Sequence, residues 1–144
     1  MGQENIETLK IGKLGNLEIL KPMKDEKRIR VGSELEERTL AFAVAVLRFA
    51  ETLPATAAAR VVIAQLLRSA TGIGANYREA NRAESKADFI HKVALALKEA
   101  AETEYWLQLC AVTPLGSASS AQELREEADE LIAILTTIRH KAAK

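Results

Sequence analysis

The feature of this sequence that most constrains its fold is the spacing of apolar residues in its middle. Apolar side chains recur there at steps of four and three residues, at Leu66, Ala70, Ile73, Tyr77 and Ala80. This is the period of an α-helix that buries one face against other helices, whereas a strand alternates every two residues. The sequence therefore predicts a long helix that runs to about Asn81 and needs a partner of similar length.

A first helix is predicted before this one. It opens at Ser33, since Ser33 and Glu36 have the spacing of a capping box, and it runs to about Thr52. Pro54 then falls in the first turn of the second helix, where its missing amide hydrogen costs nothing.

Two further helices follow the central one. The third opens at Ser85, with Asp88 placed to accept first-turn amide hydrogens, and it ends near Val112. The fourth begins near Ser120, where Glu123 completes another capping-box pair. Short connections force consecutive helices to run antiparallel. The sequence therefore predicts an all-α, antiparallel up-down-up-down four-helix bundle over residues 33–144, with a domain-swapped or open helical array as the alternative.

The composition fits this architecture. The 144 residues suit one domain, and hydrophobic residues make up 48% of the chain while aromatic residues make up only 4%. A core built from Ala, Leu, Val and Ile suits close helix packing better than it suits a sheet.

Residues 1–32 have a different texture and are predicted to form a separate N-terminal arm. Leu9–Ile11 and Leu17–Ile19 flank Gly15-Asn16, a pair that suits a tight reversal between two short strands. A flexible extension is the alternative for a terminus rich in glycine and charge.

Charge and cysteine content restrict the classes of function. Twenty Lys and Arg balance twenty Asp and Glu, so binding to nucleic acid requires a local patch. Cys110 is the only cysteine, which excludes an internal disulfide framework and a cysteine-rich zinc site. No apolar stretch approaches the roughly 20 residues of a membrane span, so we expect a cytoplasmic protein without membrane contact.

Apolar residues on the first and third helices spread over more than one face. Leu40, Val44 and Leu47 widen the apolar stripe of the first helix beyond what one neighbouring helix needs. A monomeric bundle should not leave so much apolar surface in water, which predicts a homo-oligomer.

Gly72 and Gly74 lie inside the helical pattern, where each glycine costs about 0.8–1 kcal/mol relative to alanine. Close contact with another helix would compensate this cost. A nucleotide-binding interpretation fails, because no strand precedes the Gly-Ile-Gly sequence and no third glycine follows at the required spacing.

One cluster of polar and basic residues is a candidate nucleic-acid site. It lies around the end of the second helix and the following turn and comprises Asn76, Tyr77, Arg78, Asn81, Arg82 and Lys86. The arginines and the lysine would contact phosphates, and Tyr77 would stack on a base, as in recognition of single-stranded RNA. Interleaved Glu79, Glu84 and Asp88 support a structural alternative, in which the cluster forms salt bridges and Tyr77 lies in the seam.

No catalytic, metal or cofactor site is predicted. The chain lacks the Glu-x-x-His pairs of di-metal bundles, and the nearest spacing, Asp88 and His91, indicates a solvated face. Glu99, Glu102 and Glu104 fit a charged outer face or a subunit contact better than paired catalytic carboxylates. No serine, and not Cys110, has the sequence context of a nucleophile.

Residues 69–92, Ser-Ala-Thr-Gly-Ile-Gly through Phe-Ile-His-Lys, resemble a known bacterial family, as do residues 96–107. They are similar to the four-helix bundle proteins encoded by intervening sequences within 23S ribosomal RNA genes, and the likeness spans about residues 33–142. Gly72 departs from the family pattern, in which we expect serine.

The resemblance implies a bundle that assembles as a homopentamer. It also implies a distant similarity to the accessory protein that works with reverse transcriptase in diversity-generating retroelements. That relative makes RNA, DNA or a reverse-transcriptase-like protein the expected partner. The leading hypothesis is thus a non-enzymatic homo-oligomeric bundle that binds nucleic acid or a nucleic-acid enzyme. The alternative is an assembly or scaffold protein with a protein partner.

Overall fold

Four long helices account for most of the chain that the structure describes. The computed structural model describes the backbone of residues 25–144 and the side chains of residues 32–144. The helices are α1 Asp25–Glu51, α2 Ala57–Ala80, α3 Lys86–Val112 and α4 Ala118–Ala143. No strand occurs within residues 25–144, which confirms the all-α prediction. The hairpin predicted around Gly15-Asn16 lies outside the described residues.

The helices form the predicted up-down-up-down bundle. Each helix packs against its neighbours in the chain, and α1 closes the ring by contacting α4. Contacts between α2 and α3 and between α3 and α4 are extensive, whereas α1 makes fewer contacts with α2 and fewest with α4. α1 is therefore the helix least tightly held by the rest of the bundle.

α1 begins at Asp25, so the prediction that it opens at Ser33 is wrong. Ser33 lies inside the helix and caps nothing. Residues 25–30 are mostly charged residues with good helix propensity, and glycine at position 32 does not end the helix. A Cβ at Gly32 would lie 3.3 Å from the side-chain nitrogen Nδ2 of Asn81, so glycine allows α1 to approach the end of α2 closely. Part of the predicted arm therefore belongs to α1.

The starts of the other helices differ in how well they follow the sequence. Pro54 lies in the α1–α2 connection and not in the first turn of α2, which Thr56 caps by accepting a 3.1 Å hydrogen bond from the Ala59 amide. Ser85 caps α3 as predicted, accepting from the Asp88 amide at 3.0 Å.

The predicted capping box at Ser120 and Glu123 is wrong. Ser117 caps α4, and its hydroxyl accepts from the Ser120 amide at 3.2 Å. Four serines or alanines in succession, from Ser117 to Ser120, offer several caps of similar local quality. Gly116, with φ of +74°, lies in the α3–α4 turn just before Ser117.

The core is apolar and rich in alanine, as the composition suggested. The predicted seam of α2 is buried along its whole length, at Leu66, Ala70, Ile73, Tyr77 and Ala80. The other helices contribute buried aliphatic side chains that include Leu35, Val46, Val93, Leu107, Leu131 and Leu135.

The two helical glycines face other helices at close range, which confirms the packing interpretation. A Cβ on Gly74 would lie 3.0 Å from the Thr39 hydroxyl oxygen, so glycine lets α1 approach α2. A Cβ on Gly72 would lie 2.9 Å from a Glu99 carboxylate oxygen of α3.

Candidate functional site

The six residues of the predicted nucleic-acid cluster lie where α2 ends and α3 begins. Asn81 is the C-cap of α2, and its amide donates to the Tyr77 carbonyl at 3.1 Å. Ser85 caps α3 only four residues later, so the connection is short and the cluster stays local. The side chains nevertheless point in different directions, because successive helical residues diverge by about 100°.

Tyr77 belongs to the core and not to the surface. Its side chain is 3% exposed and packs with the apolar residues of the bundle. The pKa of Tyr77 is raised from 10.0 to about 12, mainly because burial disfavours the charged form. A hydrogen bond with the Asn81 side chain lowers the pKa in part, and the Glu36 charge contributes to raising it. Tyr77 therefore cannot stack on a base, and its position in the seam agrees with the structural alternative.

Asn76 is also occupied within its own helix. Its side-chain amide nitrogen donates to the Gly72 carbonyl at 2.8 Å, and the residue is partly buried. A bond of this kind holds the amide along the helix axis and removes one of its donors from contact with a ligand.

Arg78, Asn81 and Arg82 converge on a carboxylate of α1. The Asn81 amide nitrogen donates to Glu36 Oε2 at 3.0 Å. Arg78 Nε and Arg82 Nη1 lie 3.5 Å and 3.7 Å from Glu36 Oε1. Arg82 Nη1 also donates to the main-chain carbonyl of Arg78 at 3.0 Å, which holds the Arg82 side chain against the last turn of α2.

This cluster still presents positive charge to solvent. The side chains of Arg78 and Arg82 are 47% and 70% exposed, and a single carboxylate faces both of them. Lys86, in the first turn of α3, is exposed as well. No local pattern in the sequence connects Glu36, within α1, with the end of α2, so its place beside the cluster was not predicted. We call Arg78, Asn81, Arg82 and Lys86 the basic corner.

Other charges near the corner are paired within the chain. Lys92 Nζ lies 2.9 Å from Glu79 Oε2, and this hydrogen bond and charge raise the pKa of Lys92. Arg68 of α2 bridges to Glu99 of α3 at 3.3 Å and to Glu102.

Glu104 of α3 pairs with Arg125 of α4. The three glutamates of α3 therefore form a charged outer surface with intramolecular partners.

No catalytic constellation emerges from the described residues. Asp88 accepts from the Glu84 amide at 3.4 Å in the α3 cap, and His91 is exposed. Within residues 32–144, no group of three or more His, Cys, Asp and Glu side chains is arranged to hold a metal ion. Cys110 is buried, and burial raises the pKa of its thiol, which disfavours the thiolate.

A row of apolar side chains lies in water on the outer face of α1. Leu40, Val44 and Leu47 follow one another at helical spacing and are 53%, 36% and 41% exposed. We call these three residues the α1 row. Their exposure contrasts with the inner face of the same helix, where Phe42 and Val46 are buried.

Three further large apolar side chains are exposed on α2 and α3. Val61, Tyr105 and Val112 are 61%, 54% and 74% exposed. Tyr105 meets Trp106 in a T-shaped arrangement with ring centroids 5.0 Å apart. Trp106 packs against the core while Tyr105 is exposed, because adjacent helical residues diverge by about 100°.

Comparison with known proteins agrees with this geometry. The family of 23S rRNA-intervening sequence proteins matches residues 33–137. The chain belongs to this family. A protein of unknown function from the S23 ribosomal protein family of Bacteroides thetaiotaomicron VPI-5482 has a similar crystal structure, with 38% sequence identity and a TM-score of 0.70. The match covers 76% of this chain and 97% of that one.

No curated protein matches this chain. Among the helices of residues 25–144, none has the length and apolar character needed to cross a membrane.

Proposed function

We propose that this 23S rRNA-intervening sequence protein is a non-enzymatic subunit of a homo-oligomer, and that assembly covers the outer face of α1. The observation that supports this proposal is the α1 row, three branched aliphatic side chains exposed on the helix with the fewest contacts to the bundle. Contiguous apolar surface of this kind marks an interaction site on soluble proteins.

The free energy gained by burying the α1 row can be compared with the free energy that association costs. Complete burial of one such side chain contributes about 1.5–3 kcal/mol, so three that are half exposed contribute roughly 3 kcal/mol together. Association costs about 4–15 kcal/mol of translational and rotational freedom. The α1 row therefore needs an equally apolar surface on the neighbouring subunit, and the pentamer implied by the family resemblance is the expected assembly.

Light scattering on the full chain tests this proposal. We expect the wild type to have several times the monomer mass, and the double variant Leu40→Lys, Leu47→Lys to have the monomer mass. A matched control adds the same charges to exposed sites of α4, as Ala133→Lys, Thr136→Lys, and should assemble like the wild type. A wild type that stays monomeric at all accessible concentrations contradicts the proposal.

Binding of a polyanion such as RNA or DNA is the second candidate function, and the basic corner supports it. Two exposed guanidinium groups share one carboxylate there, which leaves donors directed toward solvent. Such binding would be local and salt-dependent, because contacts to phosphates release counterions. Without Tyr77, the corner lacks an aromatic stacking surface, so recognition would depend on phosphate contacts.

RNA titration at low salt tests this candidate. Arg78→Ala, Arg82→Ala should weaken binding at least tenfold, whereas Lys98→Ala, Lys141→Ala removes the same charge elsewhere and should change it little. Equal weakening by both variants indicates a general charge effect and contradicts a site at the corner.

Co-purification from nuclease-treated extract separates this candidate from the scaffold alternative. Partners that survive nuclease digestion, including a reverse-transcriptase-like protein, favour protein binding. Partners lost on digestion favour nucleic acid.

A further inference from the structure

Asn81 holds the Glu36 carboxylate beside the end of α2. The Asn81 side-chain nitrogen Nδ2 donates to Glu36 Oε2 at 3.0 Å. Gly32 lies four residues before Glu36 and therefore on the same face of α1, and a Cβ there would lie 3.3 Å from the same nitrogen. Because Gly32 has no side chain, the Asn81 amide can lie close to α1 and reach the carboxylate.

The contacts between Glu36 and the two arginines are of a different kind. Glu36 Oε1 lies 3.5 Å from Arg78 Nε and 3.7 Å from Arg82 Nη1. Both distances exceed the roughly 2.7–2.9 Å of a charge-assisted hydrogen bond. Arg82 is held instead by the Arg78 main-chain carbonyl, to which it donates at 3.0 Å. The carboxylate therefore attracts the two guanidinium groups by its charge and does not orient them through hydrogen bonds.

The arginines keep donors that a phosphate group can use. Each guanidinium group carries five N–H donors, and the side chains of Arg78 and Arg82 are 47% and 70% exposed. The Glu36 side chain is only 19% exposed. A phosphate that approaches from solvent therefore reaches the guanidinium groups and meets the negative charge of Glu36 beside them. The carboxylate offsets part of the positive charge of the basic corner.

We infer that Glu36, held in place by Asn81, is an internal competitor that weakens phosphate binding at the basic corner, an inference that rests on the second candidate function. A carboxylate in this place could instead strengthen binding if it oriented the arginines for a ligand. The long distances to both guanidinium groups argue against that role. The hydrogen bond from the neutral Asn81 amide fixes the carboxylate without help from the arginines.

Asn81 then has a role different from that of the basic residues. Its side chain is hydrogen bonded to Glu36 and to the hydroxyl of Tyr77, so it is engaged within the protein. Asn81 is a positioning residue that acts through Glu36. The positive charge that attracts a phosphate comes from Arg78, Arg82 and Lys86.

Binding of single-stranded nucleic acid to a variant of position 36 tests the inference. Glu36→Gln removes the charge and keeps an oxygen that can accept from Asn81, so α1 should stay in place. The probes are fluorescently labelled oligouridylate and oligothymidylate, which separate RNA from DNA as the source of the phosphates. We expect the full-length variant to bind the better of the two about three- to tenfold more tightly than the wild type, the effect of one charge beside two exposed ion pairs.

Glu51→Gln is the matched control. Glu51 is exposed at the other end of α1, fifteen residues after Glu36 and therefore about 22 Å away along the helix. At roughly 0.1 M salt the Debye length is about 10 Å, so the charge of Glu51 is screened from the basic corner. Glu51→Gln should change the affinity little. An equal gain by both variants shows an effect of net charge alone and overturns the inference.

The same change in a protein without the two arginines tests whether Glu36 acts through them. Glu36→Gln added to Arg78→Ala, Arg82→Ala should leave the residual affinity unchanged, because the groups for which the carboxylate competes are absent. A gain as large as in the wild-type background overturns the inference. Weaker binding by Glu36→Gln with both arginines present shows that the carboxylate orients them, and this overturns it as well.

Asn81→Ala tests the role of the amide. Without this hydrogen bond the carboxylate can turn away from the arginines, so we expect tighter binding than in the wild type and a smaller gain than with Glu36→Gln. Weaker binding would make Asn81 a phosphate contact and overturn its role as a positioning residue. Circular dichroism of each variant should show the helical content of the wild type.

Failure of the inference can be distinguished from failure of the candidate function. If Arg78→Ala, Arg82→Ala weakens binding and Glu36→Gln leaves it unchanged, nucleic-acid binding at the basic corner stands and the competition is wrong. If neither the wild type nor Glu36→Gln binds either oligonucleotide, both are overturned.

Discussion

Arg38 of α1 and Glu127 of α4 form a doubly hydrogen-bonded ion pair inside the bundle. Arg38 Nε and Nη2 donate to the two carboxylate oxygens of Glu127, both at 2.8 Å. Both side chains are buried, in a core that is otherwise nearly all apolar. Because α1 makes few other contacts with α4, this pair fixes how the two helices meet.

Removal of one partner of this pair should be strongly destabilising. Arg38→Ala leaves the Glu127 carboxylate buried without its cation, and we expect a loss of about 3–5 kcal/mol in the free energy of unfolding. Arg38→Met, Glu127→Leu removes both charges and keeps most of the volume. The free energy of unfolding of this double variant should lie within about 2 kcal/mol of the wild-type value. Arg38 Nη1 is buried without a hydrogen-bond partner, so the cost of burying the two charges offsets much of their attraction.

Urea unfolding of Arg38→Met, of Glu127→Leu and of the double variant that combines them measures the coupling between the two side chains. If the double variant loses as much stability as the two single variants summed, the pair has no coupling and the prediction is wrong.

The two helical glycines should respond in opposite ways to alanine. At Gly72 the new Cβ meets the flexible end of Glu99, which can move away at the loss of a weak ion pair with Arg68. Gly72→Ala should therefore gain about 0.5–1 kcal/mol of stability from helix propensity.

At Gly74 the new Cβ meets Thr39, which is buried and cannot move away. The Thr39 hydroxyl donates to the Leu35 carbonyl at 2.9 Å, and its Cβ would lie 3.3 Å from the new carbon. Gly74→Ala should lose about 1–3 kcal/mol through overpacking. Urea unfolding of both variants provides the measurement, and each is the control for the other, since equal shifts would indicate propensity alone.

Local patterns predicted the parts of this fold that depend on local physics. The seam of α2 follows from the helical period, and the start of α3 follows from the Ser85 cap. The beginning of α1 was misplaced because Ser33 and Glu36 have the spacing of a capping box, although both lie inside a helix that begins at Asp25.

Side-chain contacts between the helices join residues that are far apart in the chain. Arg38 and Glu127 are 89 positions apart, and Glu36 and Asn81 are 45 apart. Hydrophobic periodicity gives the inner face of each helix but not its register against the others. The burial of Tyr77 and the approach of Glu36 to Arg78, Asn81 and Arg82 therefore required the packed structure.

Gly116 should tolerate no side chain. Its φ of +74° is the left-handed conformation, and a Cβ there would lie 2.6 Å from Leu53 Cδ2 in the core. Gly116→Ala should lose about 2–4 kcal/mol, which combines backbone strain with overpacking. Thermal unfolding measures the loss, and exposed Ser119→Ala is the control. A loss smaller than about 1 kcal/mol would show that the α3–α4 turn can rearrange.

Burial of Tyr77 should make stability fall in strongly alkaline solution. The folded protein holds the Tyr77 pKa at about 12, whereas the unfolded chain has the ordinary value of 10.0. Between these values the unfolded state binds fewer protons than the folded state, so the free energy of unfolding decreases as pH rises. Below pH 10 this contribution is fully present, and by pH 12 a shift of this size removes about 2–3 kcal/mol.

Tyr77→Phe separates this effect from other groups that titrate in the same range. Urea unfolding between pH 9 and pH 12 should show a steeper loss of stability for the wild type than for Tyr77→Phe, because phenylalanine has no proton to release. Parallel curves would mean that the hydroxyl of Tyr77 reaches water in the folded protein. That result would return Tyr77 to the surface, where it could take part in the basic corner.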